Sequence, residues 1–142
     1  MNVTGGLENS FLDNILFQKD PYFLGVNNLP QSAHHIRFST VVNCSGHFIA
    51  LVGMDRLLYY YDPVGLDIFD SEVAQFCASD LRRVIKNNTT QQHPRSISCG
   101  FFVMVFILCK QLRKTLPTYN KDDLWKNDDI AINYLIKILN EK

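Results

Sequence analysis

Between residues 36 and 61 the chain holds three strand-like runs, and the last two are joined by almost nothing. Residues 36–43 (IRFSTVVN) are β-branched, residues 47–54 (HFIALVGM) form an apolar run bounded by Gly46 and Asp55, and residues 56–61 (RLLYYY) are apolar and aromatic up to Asp62-Pro63. A link of one or two residues around Asp55 closes only as a tight antiparallel hairpin. Runs this apolar fit strands covered on both faces. With the turn near Asp55, residues whose numbers sum to about 109 lie opposite each other, which sets His47 against Asp62.

Helical patterns surround this sheet. Residues 10–17 put Phe11, Leu12, Ile15 and Leu16 on one face, with Ser10 as N-cap, and Asp20-Pro21 ends the helix. Tyr22 to Gly25 is extended. Residues 70–86 read as one helix capped by Asp70 or Ser71, with Val73, Phe76, Cys77, Leu81 and Val84 or Ile85 inward. Residues 87–98 are a polar loop containing Pro94. Residues 100–115 form a buried helix, apolar nearly all round until Lys110. Residues 121–127 are a loop or short turn, and residues 128–140 an amphipathic helix with Ile132, Leu135, Ile136 and Leu139 inward. The order predicts an α+β fold with a small central sheet flanked by helices. At 142 residues, with no repeat or linker, the expectation is a single domain over 1–142.

Composition excludes several classes. The formal net charge is zero, so the global balance calls for neither nucleic acid nor membrane. Residues 1–80 carry 3 Lys+Arg against 9 Asp+Glu, and residues 81–126 carry 9 against 2. That basic segment could bind a polyanion, but the favoured reading sets it against the acidic half or solvent. The longest apolar run, Phe101 to Cys109, is too short to span a membrane. The N-terminus has no basic-then-apolar leader, so the chain is expected to stay intracellular and not to be secreted. Its four cysteines (Cys44, Cys77, Cys99, Cys109) are then expected as free thiols, and without a CxxC pair no metal site is expected. The glycosylation patterns at Asn2, Asn43 and Asn88 carry no meaning in an intracellular chain.

Among the cysteines Cys99 has the position best suited to chemistry. It lies where a polar loop meets an apolar helix, in reach of the helix's unpaired first-turn N–H groups. Those groups favour an anion, and the thiolate is the nucleophilic form. The same donors can stabilise an oxyanion, and Gly100 leaves room for a substrate backbone. Cys77 and Cys109 sit in apolar helical faces. His47 opens a strand and is the natural general base for a cysteine, and Asp62 can orient it as a triad's third member does. Taken singly, Cys99 reads as a packing residue, His47 as a hydrogen-bonded structural histidine and Asp62 as a turn residue before Pro63. Together they set a cysteine at a helix N-terminus beside paired His and Asp strand ends.

These residues resemble the adenovirus-type maturation proteases, the adenain family, within the clan that also holds the SUMO- and NEDD8-cleaving proteases. The resemblance rests on Pro21-Tyr22-Phe23-Leu24-Gly25, Gly46-His47-Phe48 (Phe standing for the family's Trp), Tyr61-Asp62-Pro63-Val64-Gly65, and Gln92 to Cys99-Gly100, in that order. It implies a cysteine endopeptidase with Cys99 as nucleophile, His47 as base, Asp62 as orienter and Gln92 as side-chain donor of the oxyanion hole. His34, His35 and His93 match no catalytic element. Phe48 is expected to keep an aromatic wall over the site. The resemblance further implies viral precursor proteins cut at Gly-rich sites as substrates, in the virion or the host nucleus. No cofactor is required by the sequence, but the family is stimulated by a viral peptide bound through a disulfide and by DNA. The nearest cysteine before the nucleophile is Cys77, expected to be buried. The chain also ends sooner after its cysteine helix than adenovirus members do, so peripheral helices are expected to be missing. The rival readings are a protease for ubiquitin-like modifiers and a catalytically inactive binding module on the same fold.

Overall fold

In the computed structural model the strand runs assemble into one five-stranded sheet. They are β1 (Phe23–Val26), β2 (Phe38–Cys44), β3 (His47–Met54), β4 (Leu57–Tyr61) and β5 (Arg83–Lys86), in the spatial order β1-β2-β3-β4-β5. The three central strands are antiparallel, and each edge strand runs parallel to its neighbour. Among the described residues four helices complete the fold: α1 (Asn9–Lys19), α2 (Ser71–Ser79), α3 (Cys99–Gln111) and α4 (Lys126–Asn140). The structure describes residues 8–31, 36–87 and 89–141; Asn2, His34, His35 and Asn88 lie outside them.

Alternation along β3 divides the core. Phe48, Ala50 and Val52 face a cluster with α1, α3 and α4, whereas Ile49 and Leu51 face a smaller one with Val73 and Cys77 of α2. Helix α3 is buried almost all round, as its sequence requires, because it packs against β3, α1 and α4 at once. The β2–β3 link is the two-residue turn Ser45-Gly46, with φ of 55° and 93°. Positive φ at both central residues matches the right-handed twist of the strands it joins. The β3–β4 hairpin turns at Asp55-Arg56.

The register of that hairpin differs from expectation. Ala50 lies opposite Tyr61 and Met54 opposite Leu57, so each partner is displaced by two residues. A two-residue slip keeps every side chain on its own face. His47 and Asp62 are therefore diagonal rather than direct neighbours, still on the same side of the sheet.

The single helix expected over residues 70–86 is a helix followed by a strand. Asp70 caps α2 by accepting from Val73 N at 3.1 Å. At Asp80 the backbone turns extended (φ −76°, ψ 135°), and the Asp80 carboxylate accepts from Arg82 N at 2.8 Å and Arg82 Nε at 3.1 Å. Side-chain bonds to nearby backbone compete with helix in this way. Residues 83–86 then join β4, and Leu81, expected inward, is 81% exposed. Helix α1 starts one residue earlier than expected, with Glu8 at the N-cap position and no side-chain cap bond, so Ser10 is not its cap. Helix α3 stops at Gln111, short of 115, where Arg113 takes a φ of 57°.

Candidate active site

The Ser45-Gly46 turn, the end of β4 and the start of α3 converge at one end of the sheet. His47 is the first residue of β3, and its Nε2 lies 2.8 Å from Asp62 Oδ1. Asp62 follows β4 and is fully buried. Its Oδ1 also accepts from Val64 N at 2.9 Å, while Oδ2 is buried with no hydrogen-bond partner among the described residues. The carboxylate thus rests on two donors, one of them the imidazole. The backbone of Asp62 is clamped by Asn87, which accepts from Asp62 N at 3.0 Å and donates to Asp62 O at 2.6 Å.

The imidazole pKa is raised to about 9, first by the hydrogen bond to Asp62, next by interaction with Cys99, and against the desolvation of a partly buried ring. With Nε2 committed to Asp62, Nδ1 is the ring nitrogen left for the thiol. Cys99 is the first residue of α3 and only 4% exposed. Its Sγ lies 3.8 Å from the carbonyl oxygen of Gly46, the residue before His47. The thiol therefore rests against the hairpin turn, and Cys99 is also among the groups that raise the imidazole pKa. Catalytic hydrogen bonds commonly tighten only when substrate binds. The N–H groups of Cys99 and Gly100 have no backbone acceptor among the described residues, as a helix's first turn leaves them.

Gln92 is 1% exposed, seven residues before Cys99. Its Nε2 donates to Ser96 O at 3.0 Å. Turning the amide over would set its oxygen against that carbonyl, so the donor end is fixed by its partner. One hydrogen of the NH₂ group is occupied and the second makes no hydrogen bond among the described residues, nor does the buried Oε1. Gln92 N and Gln91 N both donate to Pro63 O, at 2.9 and 2.8 Å, and Thr90 Oγ1 donates to Val64 O at 2.8 Å. The loop bearing Gln92 is thus stitched to the turn bearing Asp62. At Gly65 (φ 81°) an added Cβ would meet the Thr89 carbonyl oxygen at 3.1 Å, so this seam requires glycine. Gln91 points elsewhere, its Oε1 accepting from Tyr61 OH at 2.6 Å and its carbonyl from Asn127 Nδ2 at 2.7 Å.

All four expected site residues therefore lie in this region, with His47 bonded to Asp62. Two expectations are corrected or refined. Phe48 is fully buried in the core cluster that also holds Cys99 and offers no exposed wall, because strand alternation turns it away from His47. The aromatic ring beside the imidazole is Phe69, 6.1 Å away between centroids and 53% exposed. His93 stacks on Trp125 at 4.0 Å and takes Arg95 N on its Nδ1, a loop role. Asn87 and Phe69 carried no sequence signal, since both act across loops.

No protein-family model matches the chain, and no curated protein matches it in sequence. Among solved structures it is similar to the SUMO protease Ulp1 with its catalytic cysteine oxidised to a sulfinic acid. The TM-score is 0.54 at 15% identity, over 95% of this chain and 80% of that one. The sulfenic-acid form of the same protease gives 0.55 at 14% identity, over 98% and 81%. The ASFV pS273R protease gives 0.56 at 14% identity, over 92% and 67%. The fold is that of the SUMO-protease-like cysteine proteases.

Proposed function

We propose that the chain is a cysteine endopeptidase of the adenain type. The observation that carries this reading is the 2.8 Å His47–Asp62 pair beside a cysteine at a helix N-terminus. In this reading His47 takes the Cys99 proton at Nδ1, and Cys99 attacks the peptide carbonyl. The oxyanion is held by the free hydrogen of Gln92 Nε2 and by the Cys99 N–H. His47 returns its proton to the leaving amine, and water then releases the acyl-enzyme with His47 again as base. Asp62 holds the ring in its tautomer and stabilises the imidazolium. Phe69 forms the exposed apolar wall beside it.

The substrates proposed are viral precursor proteins cut at Gly-rich sites, in the virion or host nucleus. The residue resemblance supports this, and a similar fold in the ASFV protease agrees with it. A covalently bound activating peptide has no support: Cys77 is buried against the sheet, and burial raises its pKa to about 11. The fold shared with the SUMO protease Ulp1 favours one second reading, cleavage after the Gly-Gly end of a ubiquitin-like modifier.

The test offers both substrates to the purified chain. Cleavage of Gly-rich precursor sequences, with modifier fusions left whole, supports the first reading. The converse supports the second. Cleavage of neither, with Cys99 no more reactive than Cys44, favours an inactive binding module.

A further inference from the structure

The loop that carries Gln92 and leads into Cys99 is held from the far side by the first turn of α4. Ser96 Oγ donates to the Asp128 carboxylate, 2.9 and 2.8 Å from its two oxygens. The same Oγ accepts from Ser98 N at 3.1 Å, one residue before the cysteine. The Ser96 carbonyl is the group that fixes the Gln92 amide. One residue earlier on the helix, fully buried Asn127 donates from Nδ2 to Gln91 O at 2.7 Å. Two consecutive residues of α4 thus grip the loop at both ends.

We infer that Asp128, acting through Ser96, is a positioning residue that sets the oxyanion donors. Asp128 touches neither nucleophile nor base. It orients the Ser96 hydroxyl, which aligns the Ser98–Cys99 backbone below it and presents the carbonyl that aims Gln92 Nε2. Asn127 anchors the loop's other end, so the lateral position of Gln92 depends on α4. Displacement of a donor by about 1 Å is enough to cost most of its effect on the transition state, on the order of 100-fold. The inference rests on the proposed role of Gln92 and goes beyond it, assigning a function to a helix that carries no catalytic group.

The test is a double-mutant cycle on hydrolysis of a fluorogenic peptide of Gly-rich precursor sequence, with Cys99→Ala as the inactive control. Asp128→Ala should lower kcat about 10-fold with KM nearly unchanged. Asp128→Asn keeps an oxygen for Ser96 Oγ and should recover most of the loss. With Gln92→Ala already present, Asp128→Ala should cost clearly less than alone, keeping only the share that passes through the Ser98–Cys99 backbone, because residues acting as one unit are not additive. Equal losses in the two backgrounds, or full activity in Asp128→Ala, would overturn the inference and leave the protease reading intact. Activity surviving in Cys99→Ala would instead sink the protease reading.

Discussion

At the scale of single residues the site depends on two buried polar groups that each leave one oxygen without a hydrogen-bond partner among the described residues, Asp62 Oδ2 and Gln92 Oε1. Asp62 has two donors for one oxygen and none for the other among the described residues, so His47→Ala would leave it with Val64 N alone. Loss of a partner at a buried polar group costs about 1–3 kcal/mol, and thermal denaturation should register it. Gln92→Ala should lower kcat by about 100-fold or more, as loss of an oxyanion donor does. A change within a factor of about two would remove Gln92 from the machinery. The imidazole, held protonated up to about pH 9, sets the alkaline limb of activity, because the proposed mechanism needs its proton for the leaving amine. Asp62→Asn removes the largest cause of that shift and should move the limb toward 6.5, the ordinary histidine value. A limb unmoved by this substitution would mean another group governs it. His47 and Asp62 were legible in sequence because a hairpin's face parity survives a two-residue error in register. Gln92 was legible only through the resemblance, since nothing in its spacing ties it to Cys99. Asn87, Ser96 and Asp128 were not legible as a network, because their partners lie up to 32 residues away across loops.

At the scale of elements, β3 carries the site at its start and a packing constraint near its end. An added Cβ at Gly53 would lie 2.3 Å from Arg82 Nη1 and 2.4 Å from Phe38 Cε1. Arg82 cannot swing away cheaply: Asp80 holds its Nε, and Nη1 donates to Ile36 O at 2.8 Å. Gly53→Ala should therefore destabilise by about 1–3 kcal/mol or more, read as a lower Tm. A neutral outcome would mean the β2–β3–Arg82 packing is looser than described. The same Asp80–Arg82 pair explains why β5 escaped the sequence reading. Apolar spacing carried a helical pattern through residues 81–85, and only the local competition of the Asp80 carboxylate for Arg82 N ends it. Phe69, held beside His47 by the β4–α2 connection, should matter for substrate and not for folding. Phe69→Ala is expected to raise KM on protein substrates with Tm little changed, and an unchanged KM would remove it from the cleft.

At the scale of the whole molecule part of the charge asymmetry is met inside the fold. Basic residues of segment 81–126 meet acids across the fold or near it: Lys86 with Asp67, Arg82 with Asp80, Lys114 with Glu141. Lys110 lies 4.2 Å over the Tyr59 ring. Two of these pairs reach the acidic half, residues 1–80, which the sequence reading named together with solvent as what the basic segment faces. Folding and the site are linked through one proton. Because the folded pKa of His47 is raised from 6.5 to about 9, its contribution to stability is complete below pH 6.5 and is lost as pH rises through 9. Tm should fall over that window in the native chain, and the fall should shrink in Asp62→Asn. An identical fall in both would assign it to other groups.

The central claim is an activated Cys–His pair, and the most direct measurement is mass spectrometry after brief exposure to an iodoacetamide-type probe at mildly acidic pH. Cys44, Cys77 and Cys109 each have a pKa raised to about 11, so none should react under those conditions. Labelling of Cys99 alone, lost in His47→Ala, is the predicted result. Labelling of Cys99 no faster than Cys44, or unchanged without His47, would contradict the account.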